Sequence, residues 1–394
     1  MEKRKPFVLG MLVGMAVMLG ISLGLNPIRN HIIWGEVLPP ESKILEIYSI
    51  LEAHSIVPFD REILLDNMYR GLLEGVGDPY TYYFNREALA VFRERTEGIY
   101  AGVGMGVLYD PESSLVMVSV VFAGSPAEEA GLLPGDMILE VDGKDMTGRR
   151  ADEVTTFVRG EPDTRVRMVI IRGEERVNIL VTRQQIRVPT VAHRMLEGGI
   201  GYIRIESFDG VTYDQFVEAY LELRDQGLHG LIIDLRNNPG GQLDIVVDIG
   251  NLMLPAGSIL YVENNRGERS SHLSYDDRRI DMPLVILVNG GSASASEVLT
   301  GAVRDHGVGT VVGQQTFGKG VVQSLLGLSD GSAVKITVAR YYTPSGISIH
   351  GEGIEPDYIV EVDRETAMMA ARLTLEEDIQ LQRAIEVMEG KLGS

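Results

Sequence analysis

The chain is 394 residues long, carries 36 Lys and Arg against 56 Asp and Glu for a net charge of −20, and contains no cysteine. That length asks for two or three domains, and 44% apolar with 23% charged residues is the balance of a folded chain. Without cysteine there is no disulfide, zinc ribbon, iron–sulfur cluster or thiol nucleophile, and the acidic balance speaks against a nucleic-acid binder, which needs a basic footprint.

Residues 1–36 differ from the rest. Lys3-Arg4-Lys5 precedes 19 apolar or small residues, Phe7 to Leu25, closed by Asn26-Pro27. At about 1.5 Å per residue this run nearly matches a hydrocarbon core of about 30 Å, and the basic flank should stay in the cytoplasm. The segment reads as a signal anchor spanning a bacterial cytoplasmic membrane once through residues 7–25, with the remainder extracytoplasmic, on the periplasmic or cell-surface side. A cleaved signal peptide and a secreted product are the alternative; the length of the run and the lack of an A-x-A site speak against it. The segment has a net charge of +2, which leaves −22 on the exported part.

Residues 37–97 read as a helical arm. Ile44, Ile47, Tyr48 and Leu51 share one face at helical spacing. Asp60 is the N-cap of a second helix containing Ile63, Leu64, Met68 and Leu72, ended by Gly75 and Gly77. Asp78-Pro79-Tyr80-Thr81 signals a turn.

Residues 98–185 change texture to short strands with two helices. Ser125 caps a small helix with Pro126 in its first position, Gly131 stops it, and Asp142-Gly143 marks a hairpin. A second helix near Ala151–Val158 ends at Arg159-Gly160. The run Gly124-Ser125-Pro126-Ala127-x-x-Ala130-Gly131-Leu132-x-Pro134-Gly135-Asp136-x-Ile138-x-x-Val141-Asp142-Gly143 resembles the PDZ domains of bacterial proteases. Such domains bind C-terminal peptides by adding a strand to a sheet edge. The resemblance places the carboxylate-binding loop at Val103-Gly104-Met105, where a glycine lets the backbone approach the carboxylate.

Residues 186–364 alternate strand and helix, the pattern of an α/β domain. Strands are expected at 201–205, 230–235, 284–288, 310–312 and 321–326, and a helix is expected from Ser294 to about Asp305. Residues 365–394 form a helical tail.

Three constellations compete for the chemistry. Gly313 to Lys319 fits G-x-x-x-x-G-K, but Gly320 stands where a phosphate loop needs Ser or Thr, and a strand follows instead of a helix. A Ser-His-Asp triad could draw on Ser294 with His306, or on a distant His350 or His193; Ser294 and His306 would sit at opposite ends of one helix of about 16 Å. The third is a Ser–Lys dyad of Ser294 and Lys319. A hydroxyl nucleophile needs a base, and a lysine serves only when burial holds it neutral; Phe317, Val321 and Val322 are its apolar neighbours in sequence. At a helix start the N–H of Ala295 lies near the Ser294 oxygen, half of an oxyanion hole, and the loop Asn238-Pro239-Gly240-Gly241 offers the other half. Ser294-x-x-Glu297 also reads as an ordinary capping box.

The chain as a whole resembles the C-terminal processing peptidases, or tail-specific proteases, which carry an embedded PDZ domain. The matching residues are Val288 to Glu297, Gly313 to Gln323, Tyr342-Thr343-Pro344-Ser345-Gly346, Gly353-Ile354-x-Pro356-Asp357, Asp78-Pro79-Tyr80-Thr81 and Asp234-Leu235-Arg236-x-Asn238-Pro239-Gly240-Gly241. Coverage runs from about residue 40 to 365 in the family's order. The resemblance implies a multidomain α/β fold: an anchor, a helical arm, a PDZ domain, a peptidase core of ββα-superhelix type and a C-terminal helix. It implies Ser294 as nucleophile, Lys319 as base 25 residues later, Gln323 orienting the lysine, and backbone N–H donors from Gly240 and Ala295. Asp305 matches an acidic residue that supports activity in some members, and Arg159 matches a PDZ arginine that contacts the active region. No metal or cofactor is implied. The partners implied are polypeptide substrates bound by their C-terminal tails, and a second copy. The terminal helices, 41–75 and 365–391, carry apolar faces without an obvious home in the core, so they are expected to mediate a homodimer. A PDZ adaptor with a decayed peptidase domain is the non-enzymatic alternative; intact Ser294, Lys319 and Gln323 argue against it.

Overall fold

A computed structural model describes residues 40–275 and 280–393, and the expected anchor lies outside them. Among the described residues no helix is long and apolar enough to cross a membrane. The chain divides into two compact units, residues 1–69 and 70–394.

In the first unit, Ile44, Ile47, Tyr48 and Leu51 of the helix Pro40–His54 line an apolar groove of about 420 Å³ together with Leu64, Leu65 and Met68 of the next helix. That next helix, Arg61–Glu74, starts on Asp60, whose Oδ1 accepts the N–H of Glu62 at 2.8 Å. The N-cap expected at Asp60 is therefore in place.

In the second unit, one antiparallel sheet runs Met105–Asp110, Leu115–Val121, Met137–Val141, Arg165–Arg172, Glu175–Thr182, with Lys144–Asp145 paired to the third strand. Asp142 and Gly143 both take positive φ (49° and 76°), the turn geometry whose twist suits a hairpin. Alternate residues Val116, Val118, Ile138, Val166, Met168 and Ile170 point into a core closed by Val154 and Val158 of the helix Ala151–Val158. A two-stranded neck, Ile99–Gly102 against Gln184–Arg187, carries the chain into and out of this domain.

The remainder is built on a six-stranded sheet in the order Val191–Leu196, Ile200–Ile205, Gly230–Asp234, Leu284–Val288, Gly309–Gly313, Tyr358–Ile359, parallel beyond the first pair. Gly230–Asp234 and Leu284–Val288 are buried at every residue, as parallel strands covered on both faces must be. Helices Thr212–Asp225, Leu243–Met253 and Ala295–Asp305 cover one face through Phe216, Leu223, Val246, Ile249 and Leu299.

The other face is covered by the C-terminal helix, Ile379–Leu392, whose Leu381, Ala384 and Met388 pack on Tyr202, Ile232, Val285 and Val312. This corrects the expectation that the C-terminal helix has no home in the core: its apolar face is spent on its own sheet and is not free for a second copy. A second, five-stranded antiparallel sheet joins Tyr82–Phe84, Ala333–Tyr342, Gly257–Asn264 and Arg269–Ser274, with Val321–Gly327 on the other edge of Ala333–Tyr342. Part of the expected helical arm is thus sheet, not helix: Tyr82–Phe84 pairs with residues 333–335.

Candidate active site

Three loops meet at the carboxyl ends of three neighbouring parallel strands, where open α/β sheets place their ligands. Residues 235–242 follow Gly230–Asp234, residues 289–294 follow Leu284–Val288, and residues 314–320 follow Gly309–Gly313. The first carries Gly240, the second ends on Ser294, and the third carries Lys319.

The first two loops are laced together. Ser292 Oγ donates to the Leu235 carbonyl (2.8 Å), the Asn237 N–H donates to Asn289 Oδ1 (2.9 Å), and Ala293 N–H and Ser296 Oγ both donate to the Asn238 carbonyl (3.0 and 2.9 Å). Gly240 lies so close that a Cβ there would stand 2.7 Å from the Ala293 carbonyl and 2.8 Å from the Ser294 Cβ. Ser294 itself holds φ +55° and ψ −113°, outside the ordinary regions for a side-chain-bearing residue. It opens the buried helix Ala295–Asp305.

Glu297 holds this geometry. Its fully buried carboxylate accepts the N–H groups of Ser294 and Lys319 on Oε2, each at 2.9 Å, and the Thr316 hydroxyl (2.6 Å) and Gly318 N–H (2.7 Å) on Oε1. The capping-box spacing flagged this residue, but only as a partner of Ser294; its reach to the lysine loop is a tertiary contact that local sequence does not show.

The two side chains have different neighbours. The Ser294 side chain lies beside the Tyr341 phenol, which donates its proton to the Lys319 carbonyl. Burial, then the Glu297 charge, push that phenol well above its usual range, so it remains a donor. Lys319 Nζ lies 4.8 Å over the Tyr80 ring, which brings the Asp78-Pro79-Tyr80-Thr81 turn to the site. Burial, then the neighbouring Lys335 charge, hold the Lys319 amine below its ordinary value. Of the apolar neighbours expected to desolvate it, Phe317 is 58% exposed; the Tyr80 face contacts the amine instead. Gln323 Nε2 donates to the Val321 carbonyl (3.2 Å), and the Gly240 N–H donates to Asn238 Oδ1 (2.9 Å). A cavity of about 180 Å³ opens beside Ser294, lined by Leu243, Ala295, Val298, Val322, Gln323 and Tyr341.

The other candidates are placed as follows. Asp305 accepts the Ser345 N–H (2.9 Å) and hydroxyl (2.6 Å) at the far end of the helix from Ser294, and so anchors the loop after Tyr342. His306 Nε2 bonds the Ser258 carbonyl (2.8 Å) and His193 pairs with Glu222 (3.0 Å); neither geometry makes a base for Ser294. His350 is exposed, beside Asp78. In the antiparallel domain, Gly104 takes φ +86° and a Cβ there would clash with Ser125 at 2.3 Å, while its carbonyl accepts Ser125 Oγ. A cavity of about 190 Å³ lies between Val103, Met105 and Val107 on one side and Val154, Val158 and Arg159 on the other. Arg159 stacks 4.5 Å over the Tyr100 ring and pairs with Glu94 at 2.6 Å.

Comparison with known proteins accounts for both halves. Residues 199–360 match the model of peptidase family S41, and residues 117–172 match a PDZ domain. The chain is 39% identical over 325 residues to the carboxyl-terminal-processing protease of Synechocystis, covering 81% of this chain and 75% of that one. It is 36% identical to the "Probable CtpA-like serine protease" of Staphylococcus aureus, over 82% of this chain and 65% of the relative. Among solved structures it is similar to the photosystem II D1 C-terminal processing protease, with 32% identity, a TM-score of 0.47, and 82% and 87% of the two chains covered.

Proposed function

Because the chain belongs to peptidase family S41, with a PDZ domain beside its serine-peptidase core, we propose that it cleaves polypeptides by a Ser294–Lys319 dyad. The observation that carries this reading is the shared anchoring of the two backbones on Glu297. It fixes Ser294 in a strained conformation at a helix start and sets Lys319 beside it on a half-buried loop.

The mechanism follows from the groups present. Neutral Lys319 takes the Ser294 proton as Oγ attacks the peptide carbonyl. The N–H groups of Gly240 and Ala295 receive the oxyanion. The protonated lysine then gives its proton to the leaving amine, and the neutral amine next activates a water that hydrolyses the acyl-enzyme. Two movements lead from the arrangement described to this one. Lys319 Nζ leaves the Tyr80 face for Ser294, where Gln323 orients it, and the Gly240 N–H turns from Asn238 Oδ1 towards the substrate. Catalysis thus begins from a resting state.

The PDZ domain supplies recognition: a C-terminal tail adds along Met105–Asp110 with its carboxylate at Val103-Gly104-Met105. In this reading residues 7–25 anchor the enzyme with its catalytic part outside the cytoplasmic membrane, which the basic flank and the apolar run support. The apolar groove of the N-terminal helices takes a second copy; light scattering at micromolar concentration should give a dimer mass.

The test of the dyad is degradation of an unstructured protein by the full chain in detergent. Ser294→Ala and Lys319→Ala should each abolish turnover with the fold intact. Near-normal activity in Lys319→Ala together with loss in His306→Ala would return the triad.

A further inference from the structure

The loop that carries Gly240 is held from behind by a charge network that reaches the C-terminal segment. Arg236 is 1% exposed, and all five of its guanidinium donors are used. Nε and Nη2 donate to the Asp234 carboxylate (3.0 and 2.7 Å), Nη1 and Nη2 donate to the two oxygens of Asp378 (2.7 Å each), and Nη1 also reaches Gln380 Oε1 (3.2 Å). Burial works against the Asp234 carboxylate, but Arg236 and Arg204 hold it below the usual carboxylate range. The next residue, Asn237, takes φ +61° and is tied by its Nδ2 to the Ala367 carbonyl (2.7 Å). Two successive residues before the oxyanion loop are therefore gripped by residues 367–380, which lie outside the matched catalytic region.

Asp378 does two jobs at once. Its Oδ1 caps the C-terminal helix by accepting the Leu381 N–H (3.0 Å), and its carboxylate holds Arg236 bidentately. A buried ion pair adds little net stability, because desolvation offsets the attraction. What a bidentate pair adds is geometry. Arg236 stands four residues before Gly240, with rigid Pro239 between them and the Asn238 carbonyl tied to Ala293 N–H and Ser296 Oγ on the Ser294 side, so a shift at the guanidinium carries into the placement of Gly240 against Ser294.

We propose that Asp378 is a positioning residue for catalysis: through Arg236 it sets the height of the Gly240 N–H against Ser294, so the C-terminal helix supports the oxyanion hole as well as the fold. The proposal rests on the reading of Gly240 as an oxyanion donor. The test compares full-chain wild type, Asp378→Asn, Arg236→Lys and Ser294→Ala by thermal unfolding, kcat, KM, and inhibition by a peptidyl boronate and by a product peptide. In folded Asp378→Asn, kcat should fall on the order of 100-fold, as for a donor displaced by about 1 Å, with KM within about twofold because ground-state binding is untouched. Affinity for the tetrahedral boronate should fall in parallel with kcat, and product-peptide affinity should hold. Unchanged kcat, or equal loss of boronate and product affinity, overturns the proposal. If Asp378→Asn does not fold, Arg236→Lys, which keeps the charge but loses the fork, decides by the same readouts. Turnover surviving in Ser294→Ala would instead sink the reading of the site itself.

Discussion

The backbone N–H groups of Ser294 and Lys319 end on one oxygen, Oε2 of Glu297, each at 2.9 Å. The two residues belong to loops leaving adjacent strands, Leu284–Val288 and Gly309–Gly313. A buried carboxylate is costly unless its lone pairs are filled, and here four donors fill them. The Ser294 loop and the Lys319 loop are therefore fixed to a common point. The lysine stem is not among these anchored groups, so the proposed approach of Lys319 Nζ to Ser294 asks for rotation of that stem and not for movement of either loop.

Glu297→Gln tests this directly. The amide keeps the shape but turns one acceptor oxygen into a donor that faces N–H groups. Leaving buried donors unpaired costs about 3 kcal/mol, so stability measured by urea unfolding should fall by about that much. Turnover at equal folded concentration should drop on the order of 100-fold, since both candidate catalytic residues lose their reference point. Full activity in the folded variant would show that the shared carboxylate does not set the site.

The lysine makes a pH prediction with a definite sign. Its amine is held below the ordinary 10.5 by burial first and Lys335 second. With neutral Lys319 as the proposed base, activity should rise with pH through an apparent pKa below 10.5. Lys335→Met removes the repelling charge and should shift that limb to higher pH. Stability has its own sign. The folded state disfavours the charged amine, so the penalty is full below the folded pKa and is relieved as pH climbs toward the unfolded value. Lys319→Met should therefore stabilise the protein at neutral pH, read as a higher Tm.

Gly240 permits a steric test. It takes φ +99°, and a Cβ there would meet the Ala293 carbonyl at 2.7 Å, the Ser294 Cβ at 2.8 Å and the Ala295 N at 2.9 Å. Two of these are backbone atoms that cannot rotate away. Gly240→Ala should lower kcat on the order of 100-fold, as for a displaced oxyanion donor. Gly327→Ala, where a Cβ meets nothing within 4 Å, is the matched control and should keep its activity.

The parts legible in the sequence were those carried by local chemistry. Asp142-Gly143, the Ser125 cap and the buried strands around Ile232 and Ile286 follow from turn residues and periodicity, and the structure has them. Ser294 and Lys319 are singled out by the resemblance to the C-terminal processing peptidases, whose serine and lysine motifs they match 25 residues apart. What was not legible depends on tertiary approach. Tyr80 reaches Lys319 only because Tyr82–Phe84 pairs with Ala333–Val334-Lys335. Asp378 reaches Arg236 across 142 positions. The C-terminal helix looked unpartnered because the face it covers belongs to strands whose own patterns, apolar throughout, do not say which side lacks a helix.

Tyr100 and Arg159 predict how a substrate tail engages the PDZ domain. The Tyr100 hydroxyl faces the backbone N–H groups of Gly104 and Met105, the donors expected for a tail carboxylate. Arg159 stacks on that ring, with its Nε buried and without a hydrogen-bond partner. Its Nη1 pairs with Glu94, and both side chains are more than a third exposed, so this pair is weak and easily exchanged. Glu94 lies on the helix Arg86–Glu97, whose Thr96 carbonyl accepts Gln242 Nε2 at 2.7 Å, two residues after Gly240. On the proposed mode of tail binding, a carboxylate that displaces the Tyr100 hydroxyl would free Arg159 and loosen a helix that touches the Gly240 loop. Tyr100→Phe removes the competing hydroxyl, so a C-terminal peptide should bind about fivefold tighter by fluorescence anisotropy, the worth of one neutral hydrogen bond. Arg159→Ala should leave peptide affinity nearly unchanged and lower kcat/KM on tailed substrates. If Tyr100→Phe binds the peptide no better, the hydroxyl is not a competitor; if Arg159→Ala cleaves tailed substrates at the normal rate, the arginine carries no signal to the site.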